Sequence, residues 1–169
     1  GVQTCALPIY KHMLYALVEN KAGVLARVAG LFSARGFNID SLAVGETEDP
    51  RFSRMTIVVA GDDAVLEQVR KQLDKLVNVV KVQDFSETAV VERDLLLARI
   101  NVPPEKRGQV LELVQVFRAR GVDVGHEEMI IEVVGTEDKL EALLDLLRPY
   151  GILEMARTGR VALARAERD

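Results

Sequence analysis

Sliding the sequence along itself by 85 positions sets Lys21 on Lys106 and Gly23 on Gly108, then Phe32, Ala34, Arg35 and Gly36 on Phe117, Ala119, Arg120 and Gly121. A slide of 74 sets Gly61 on Gly135 and Leu66 on Leu140. The difference of 11 falls in the Gly45–Arg54 region, where the second copy has the shorter hairpin. A chain that repeats itself in this way is built from two copies of one unit, so a fold read for one copy is expected of the other.

The first copy can be read element by element. Lys11 to Val18 is a strand with Tyr15 and Val18 as strand formers, and Asn20, Lys21, Ala22 and Gly23 interrupt it as a turn does. Val24, Leu25, Val28, Leu31 and Phe32 then recur in steps of three and four, which marks one face of a helix ending at Arg35. Gly36 follows as a left-handed C-cap. A strand runs from Phe37 to about Val44, Gly45–Phe52 is a polar hairpin loop, and Ser53–Ala60 is a buried strand. Asp62 is the N-cap of a second helix through Val65, Leu66, Val69, Leu73 and Leu76, and Val79–Phe85 is the fourth strand. This β-α-β-β-α-β order is the ferredoxin-like split βαβ arrangement.

In the second copy Leu95–Val102 is a strand. Pro103 and Pro104 precede a helix through Val110, Leu111, Val114 and Phe117, closed by Gly121. Val122–Val124 and Met129–Val134 are strands, Thr136 caps a helix through Leu140, Leu143, Leu144 and Leu147, and Ile152–Met155 is a strand that Val161–Ala164 extends. The expected fold class is therefore α+β, with two tandem ferredoxin-like (βαββαβ) units. The boundaries are residues 1–10 as a non-native or disordered leader, 11–86 and 95–169 as the two units, and 87–94 as a linker. Gly1–Ile9 shows no period and resembles translated sequencing-adapter sequence, so no function is built on Cys5.

The glycine turn carries a chemical option as well. A helix N-terminus leaves backbone N–H groups unpaired and carries partial positive charge, and a preceding glycine admits a ligand close to the backbone. Gly23, Val24 and Leu25 are thus placed to hold a carboxylate, and Asn20 and Asn38 bracket the helix with one donor group and one acceptor each. That set suits a free amino acid. The same residues also read as an ordinary N-cap, turn and loop. At the slide of 85, Asn20 and Asn38 fall opposite Glu105 and Asp123, whose charge would repel a carboxylate, so a site is expected in the first unit and not in the second.

Composition narrows the rest. The chain has 169 residues, 49% hydrophobic and 28% charged, with a net charge of −4, and this argues against a nucleic-acid surface. No apolar run approaches a membrane span and no secretory signal opens the chain, which fits a cytoplasmic protein. One cysteine excludes an internal disulfide, and with two distant histidines it gives a metal cluster little to work with. There is no P-loop or dinucleotide fingerprint. Asp62, Asp63, Glu127 and Glu128 read as caps and solvated turns, His126 as a hairpin-turn residue, and Arg51, Arg54, Arg157 and Arg160 as solvated charge with partner contact as the alternative.

LVENKAGVLARVAGLFSARGFNIDSLAVG from Leu17, LEQVRKQLDKLVNVVKV from Leu66, VERDL from Val91 and RTG from Arg157 closely resemble the regulatory (small) subunits of acetolactate synthase, also called acetohydroxyacid synthase. The resemblance covers about Lys11 to Arg165. One departure is Ala22, where that family usually has Pro. The resemblance implies that the first unit is an ACT domain, an amino-acid-binding module that forms homodimers, and that the chain is not itself an enzyme. It implies a catalytic large subunit as partner, activated by this chain and feedback-inhibited through it by valine or a related branched-chain amino acid. Thiamine diphosphate, Mg²⁺ and FAD are then expected on the catalytic partner and none on this chain. The valine site is expected where two ACT domains meet, at Asn20, Gly23, Val24, Leu25, Asn38 and Ile39. The alternative is a stand-alone ACT sensor regulating a different enzyme.

Overall fold

The computed structural model describes residues 11–167, so the expected leader and Cys5 lie outside the described residues. The chain forms two compact units, one holding the described residues up to Val90 with the segment from Ala164, the other Val91–Leu163.

The first unit contains β1 (Lys11–Glu19), α1 (Val24–Arg35), β2 (Asn38–Glu46), β3 (Phe52–Ala60), α2 (Asp63–Asp74) and β4 (Val79–Asp84). Its antiparallel sheet has the order β2-β3-β1-β4, so β2 and β4 are the edges. One sheet face supplies Leu14, Ala16, Val18, Met55, Ile57 and Val59 to a core that Val24, Val28 and Phe32 of α1 and Leu66, Val69 and Leu73 of α2 complete. Alternation along the strands and helical spacing along the helices thus converge on one apolar layer. Both ends of α1 are set by glycine. Gly23 and Gly36 are left-handed at φ 83° and 65°, and the cap N–H groups at Gly36 return to the Phe32 and Ser33 carbonyls. Asp62 caps α2 as expected, its carboxylate accepting from the Val65 N–H at 2.9 Å. The hairpin loop is shorter than expected, because Gly45 and Glu46 continue the ladder opposite Arg54 and Ser53.

The second unit contains β5 (Val90–Asn101), α3 (Arg107–Val116), β6 (Arg120–Val124), β7 (Glu128–Gly135), α4 (Glu137–Leu147), β8 (Ile152–Arg157) and β9 (Val161–Ala164). The sheet order is β6-β7-β5-β8, with β9 also paired to β5. The strand expected from Leu95 begins at Val90. Thr136 holds the N-cap position of α4 without a side-chain cap bond.

Two expectations about α3 are corrected. Gly121 does not close it. The helix ends at Val116, the chain reverses through Arg118 at φ 54°, and Gly121 is already paired with Ile131 in β6. The slide of 85 is also one residue out for packing. Val24 and Val28 of α1 are buried, and their counterparts are Val110 and Val114, a separation of 86. Gly108 therefore sits inside α3, and Glu105 lies in a short 3₁₀ turn (Pro104–Lys106), so neither matches the turn at Asn20–Gly23.

The arginines expected as solvated charge are mostly engaged. The Arg54 guanidinium lies 3.8 Å from the Tyr15 ring centroid, Arg157 pairs with the buried Asp94 at 3.1 Å, and Arg160 pairs with Glu137. Among the described residues, no helix is long and apolar enough to cross a membrane.

Candidate functional site

The chain leaves β1 at Glu19, turns through Asn20, Lys21 and Ala22, and enters α1 at Gly23. Two bonds shape this turn, from the Lys21 N–H to the Glu19 carbonyl at 3.0 Å and from the Val24 N–H to the Lys21 carbonyl at 3.4 Å. The Gly23 carbonyl already accepts from Arg27 at 3.0 Å. Among the described residues no backbone carbonyl takes the N–H groups of Gly23, Leu25 or Ala26, which leaves three donors at the positive end of α1. A Cβ built at Gly23 meets nothing within 4 Å, which makes this approach open. Val24 is buried and anchors the helix start, whereas Leu25 is 47% exposed. The carboxylate-holding role therefore fits Gly23 and Leu25 better than Val24, whose N–H is spent in the turn.

Two neighbouring loops brace the turn. Asn20 donates its backbone N–H to the Arg51 carbonyl at 2.7 Å and its side-chain Nδ2 to the Pro50 carbonyl at 3.0 Å. On the other side, the Glu19 N–H donates to the Asn78 carbonyl at 2.9 Å, Asn78 Nδ2 to Glu19 Oε2 at 3.3 Å, and Arg27 Nη1 to Asn78 Oδ1 at 2.5 Å. Lys21 Nζ lies 2.8 Å from Glu19 Oε2. Hydrogen bonds from Lys21 and Asn78 hold the Glu19 carboxyl below its ordinary pKa. Asn78 and the Pro50–Arg51 carbonyls escaped the sequence reading. The first left one signal, a lone amide inside the apolar run Leu76–Val80. The second left none, because carbonyls carry no residue type.

The loop tip at Pro50 is internally tied. Thr47 Oγ1 donates to the Asp49 carbonyl at 2.9 Å and accepts from the Asp49 N–H at 3.2 Å. The Asp49 carboxylate accepts from the Arg51 N–H at 3.1 Å and from its guanidinium at 2.6 Å. These bonds, the side-chain one above all, pull the Asp49 pKa down to about 2. A carboxyl depressed in the folded state stabilises it above its unfolded pKa, so this clamp is complete above about pH 4. It is lost as pH falls through about 2. An NMR titration of the Asp49 carboxyl is expected to show a midpoint near 2, and a midpoint at the ordinary aspartate pKa of about 3.9 would mean the clamp does not form in solution.

Asn38 and Ile39 lie elsewhere. Asn38 opens β2 opposite Ala60, which itself faces Lys11 at the start of β1. Asn20 follows Glu19, which faces Phe52 at the other end of the same sheet. The two asparagines are thus at opposite ends of the unit, separated by the length of α1, about 18 Å at 1.5 Å per residue. Ile39 packs against the core beside Asn38, and Asp40 next to it pairs with Lys11 at 3.2 Å. One protomer therefore gathers Asn20, Gly23, Val24 and Leu25 at one end and leaves Asn38 and Ile39 at the other.

The second unit builds no equivalent turn. Its first helix is entered through extended Pro103 and a 3₁₀ turn, with Lys106 at the N-cap at φ −101°. The two units thus differ in backbone at the helix entry, left-handed Gly23 in the first and Lys106 after a 3₁₀ turn in the second.

Comparison with known proteins follows the same division. Residues 14–81 match a family model described as the AHAS small subunit-like ACT domain, and residues 93–166 match one described as the small subunit of acetolactate synthase. A probable acetolactate synthase small subunit of Archaeoglobus fulgidus is 60% identical over 158 residues, covering 94% of this chain and 99% of that protein. The acetolactate synthase small subunit of Mycolicibacterium smegmatis is 54% identical over 157 residues, covering 93% of this chain and 92% of that protein. The crystal structure of the acetolactate synthase small subunit from Thermotoga maritima superposes with a TM-score of 0.85 at 44% identity, covering 94% of this chain and 99% of that one. With both units matched in order and relatives aligned over nearly their whole length, this chain belongs to the acetolactate synthase small-subunit family, with an ACT domain as its first unit.

Proposed function

We propose that the chain binds and activates the catalytic subunit of acetolactate synthase and makes it subject to feedback inhibition by valine. Thiamine diphosphate, Mg²⁺ and FAD belong, on this reading, to the catalytic partner in the cytoplasm. Family membership supports the partner. The observation that carries the regulatory site is the separation of Asn20 and Gly23 from Asn38 and Ile39 along α1.

A second copy removes that separation. β2 is a sheet edge, an element to which another strand readily adds. If β2 of a second copy adds antiparallel about a two-fold axis, its Asn38 end lies beside the Glu46 end of the first. That is the end at which α1 begins, since Glu46 pairs with Ser53 and Phe52 with Glu19. Each of two identical sites then takes Asn20 and Gly23 from one protomer and Asn38 and Ile39 from the other. Valine's carboxylate sits on the N–H groups at Gly23 and Leu25, its ammonium on the amide oxygens, and its isopropyl group near Ile39. A ligand shared by two protomers favours one dimer geometry. Inhibition requires that the geometry so favoured be the less active one, with a coupling on the order of 1–3 kcal/mol.

The test is to mix the purified chain with the catalytic subunit of the same source and assay acetolactate formation with and without valine. Activation that valine reverses is the expected result. Activation without valine sensitivity would keep the partner and remove the site. No activation would overturn the reading in favour of a sensor for another enzyme.

A further inference from the structure

Asn20 is the one proposed ligand-binding side chain that the structure shows bonded to another element of its own protomer. Its amide donates from Nδ2 to the Pro50 carbonyl at 3.0 Å, while its backbone N–H donates to the Arg51 carbonyl at 2.7 Å. A carbonyl accepts and never donates, so this contact fixes which way round the amide stands. Nδ2 is turned to the loop tip, and among the described residues no donor reaches Oδ1. The Pro50 bond uses one of the two Nδ2 hydrogens, so Oδ1 is the acceptor that Asn20 keeps for a ligand, beside one remaining N–H.

We infer that the β2–β3 tip, through the Pro50 carbonyl, is the specificity element of the site: it locks Asn20 with its oxygen toward the ligand and so selects 2-amino acids over the 2-oxo acids of the same carbon skeleton. This rests on the amino-acid site proposed above. An ammonium donates to Oδ1 and extends the chain of hydrogen bonds through the amide to Pro50, each bond polarising the next. A 2-oxo acid brings a carbonyl oxygen to the same place, and oxygen then faces oxygen. Without the lock, the amide can rotate by half a turn and donate to the oxo group, and the distinction fades.

The lock depends on the tip holding its shape. Asp49 fixes Arg51 through its N–H and its guanidinium, and Thr47 Oγ1 bonds to the Asp49 and Phe52 carbonyls. Asp49 and Thr47 are thus positioning residues, remote from the ligand, that act through Pro50 on Asn20.

The experiment measures binding of L-valine and of 3-methyl-2-oxobutanoate to the full chain by calorimetry, and their inhibition of the reconstituted holoenzyme. For the wild type, valine is expected to bind tighter by on the order of 100-fold, short of the 10⁴–10⁵ reached at enclosed sites that bond a substrate N–H. Asp49→Ala and, separately, Thr47→Val are expected to bring that ratio down at least tenfold, and Asp49→Asn, which keeps an acceptor for the Arg51 N–H, to restore most of it. A purely structural role would weaken both ligands alike and leave the ratio unmoved. Tight valine binding with a ratio unchanged in both tip variants overturns the lock and leaves the site standing. A wild-type chain that binds no valine, alone or in the holoenzyme, overturns the site and this inference with it.

Discussion

Replacing Asp94 by alanine is expected to destabilise the second unit by about 3–5 kcal/mol, the cost of breaking a buried ion pair from one side. Asp94 is only 4% exposed. It accepts from Arg157 Nη2 at 3.1 Å and Nε at 3.3 Å, and from Thr158 Oγ1 at 3.2 Å. Thr158 in turn donates its N–H to the Leu95 carbonyl at 3.0 Å and accepts from the Leu95 N–H at 3.1 Å. One carboxylate thus fastens the turn between β8 and β9 to β5. Burial alone would lower the Arg157 pKa. The Glu141 and Asp94 carboxylates outweigh that and hold it above the ordinary value. After Asp94→Ala, Arg157 keeps only Glu141, at 2.8 Å, whose side chain is 43% exposed. An exposed pair of that kind contributes about 0–1 kcal/mol and cannot compensate. The thermal transition of the second unit is expected to fall by at least about 12 °C, taking 4–8 °C per kcal/mol for a unit of this size. Asp94→Asn keeps the acceptor for Thr158 and should fall between the two. A drop of less than about 5 °C for alanine would mean that the pair is worth no more than a surface bridge.

That clasp also shows what a sequence does and does not carry. VERDL and RTG were visible as motifs, but nothing in either said that Asp94 and Arg157 meet across 63 positions. Long-range pairing of single charges leaves no period. Elements do leave one, so both βαββαβ units could be read, and α1 was bounded at both ends because Gly23 and Gly36 punctuate it. α3 was not, because its exit uses Arg118 in the left-handed region where the sequence offered Gly121 as the obvious stop. At the slide of 85 the repeat shows in Lys21, Gly23, Phe32, Ala34, Arg35 and Gly36, of which all but Phe32 are exposed. The buried valines, which set how a helix packs, keep a separation of 86 where those residues keep 85. At the proposed site the residue types were legible, and so was the placing of Asn20 and Asn38 at the two ends of α1, because they bracket it in sequence; the ladder Asn38–Ala60–Lys11 adds the strand register, which leaves no period.

Replacing Gly23 by aspartate is expected to abolish valine inhibition while leaving activation of the catalytic subunit intact. The substitution should fold. Gly23 is left-handed at φ 83°, and aspartate is among the residues that tolerate this region best. An added Cβ meets no atom within 4 Å, so the penalty is backbone strain of about 1 kcal/mol and not a clash. The charge is a larger matter. A carboxylate at this position stands beside the N–H groups proposed for the ligand's own carboxylate. Two like charges about 4 Å apart repel by about 1 kcal/mol in water and about 4 kcal/mol at the effective dielectric near a protein surface. In the proposed dimer the second protomer closes over the site and excludes water, which favours the upper figure and corresponds to a loss of affinity approaching 10³-fold. The new side chain can also fold back and take the free N–H groups for itself, which removes the anion site a second time. Gly23→Ala separates the causes, since it carries at least as much backbone strain without the charge. It should weaken valine by less than about tenfold, and aspartate by more than about 100-fold, in calorimetry on the chain and in inhibition of the holoenzyme. If alanine and aspartate weaken valine equally, backbone shape at the turn matters and the carboxylate lies elsewhere. If the aspartate variant is still fully inhibited, the start of α1 is not where the ligand binds.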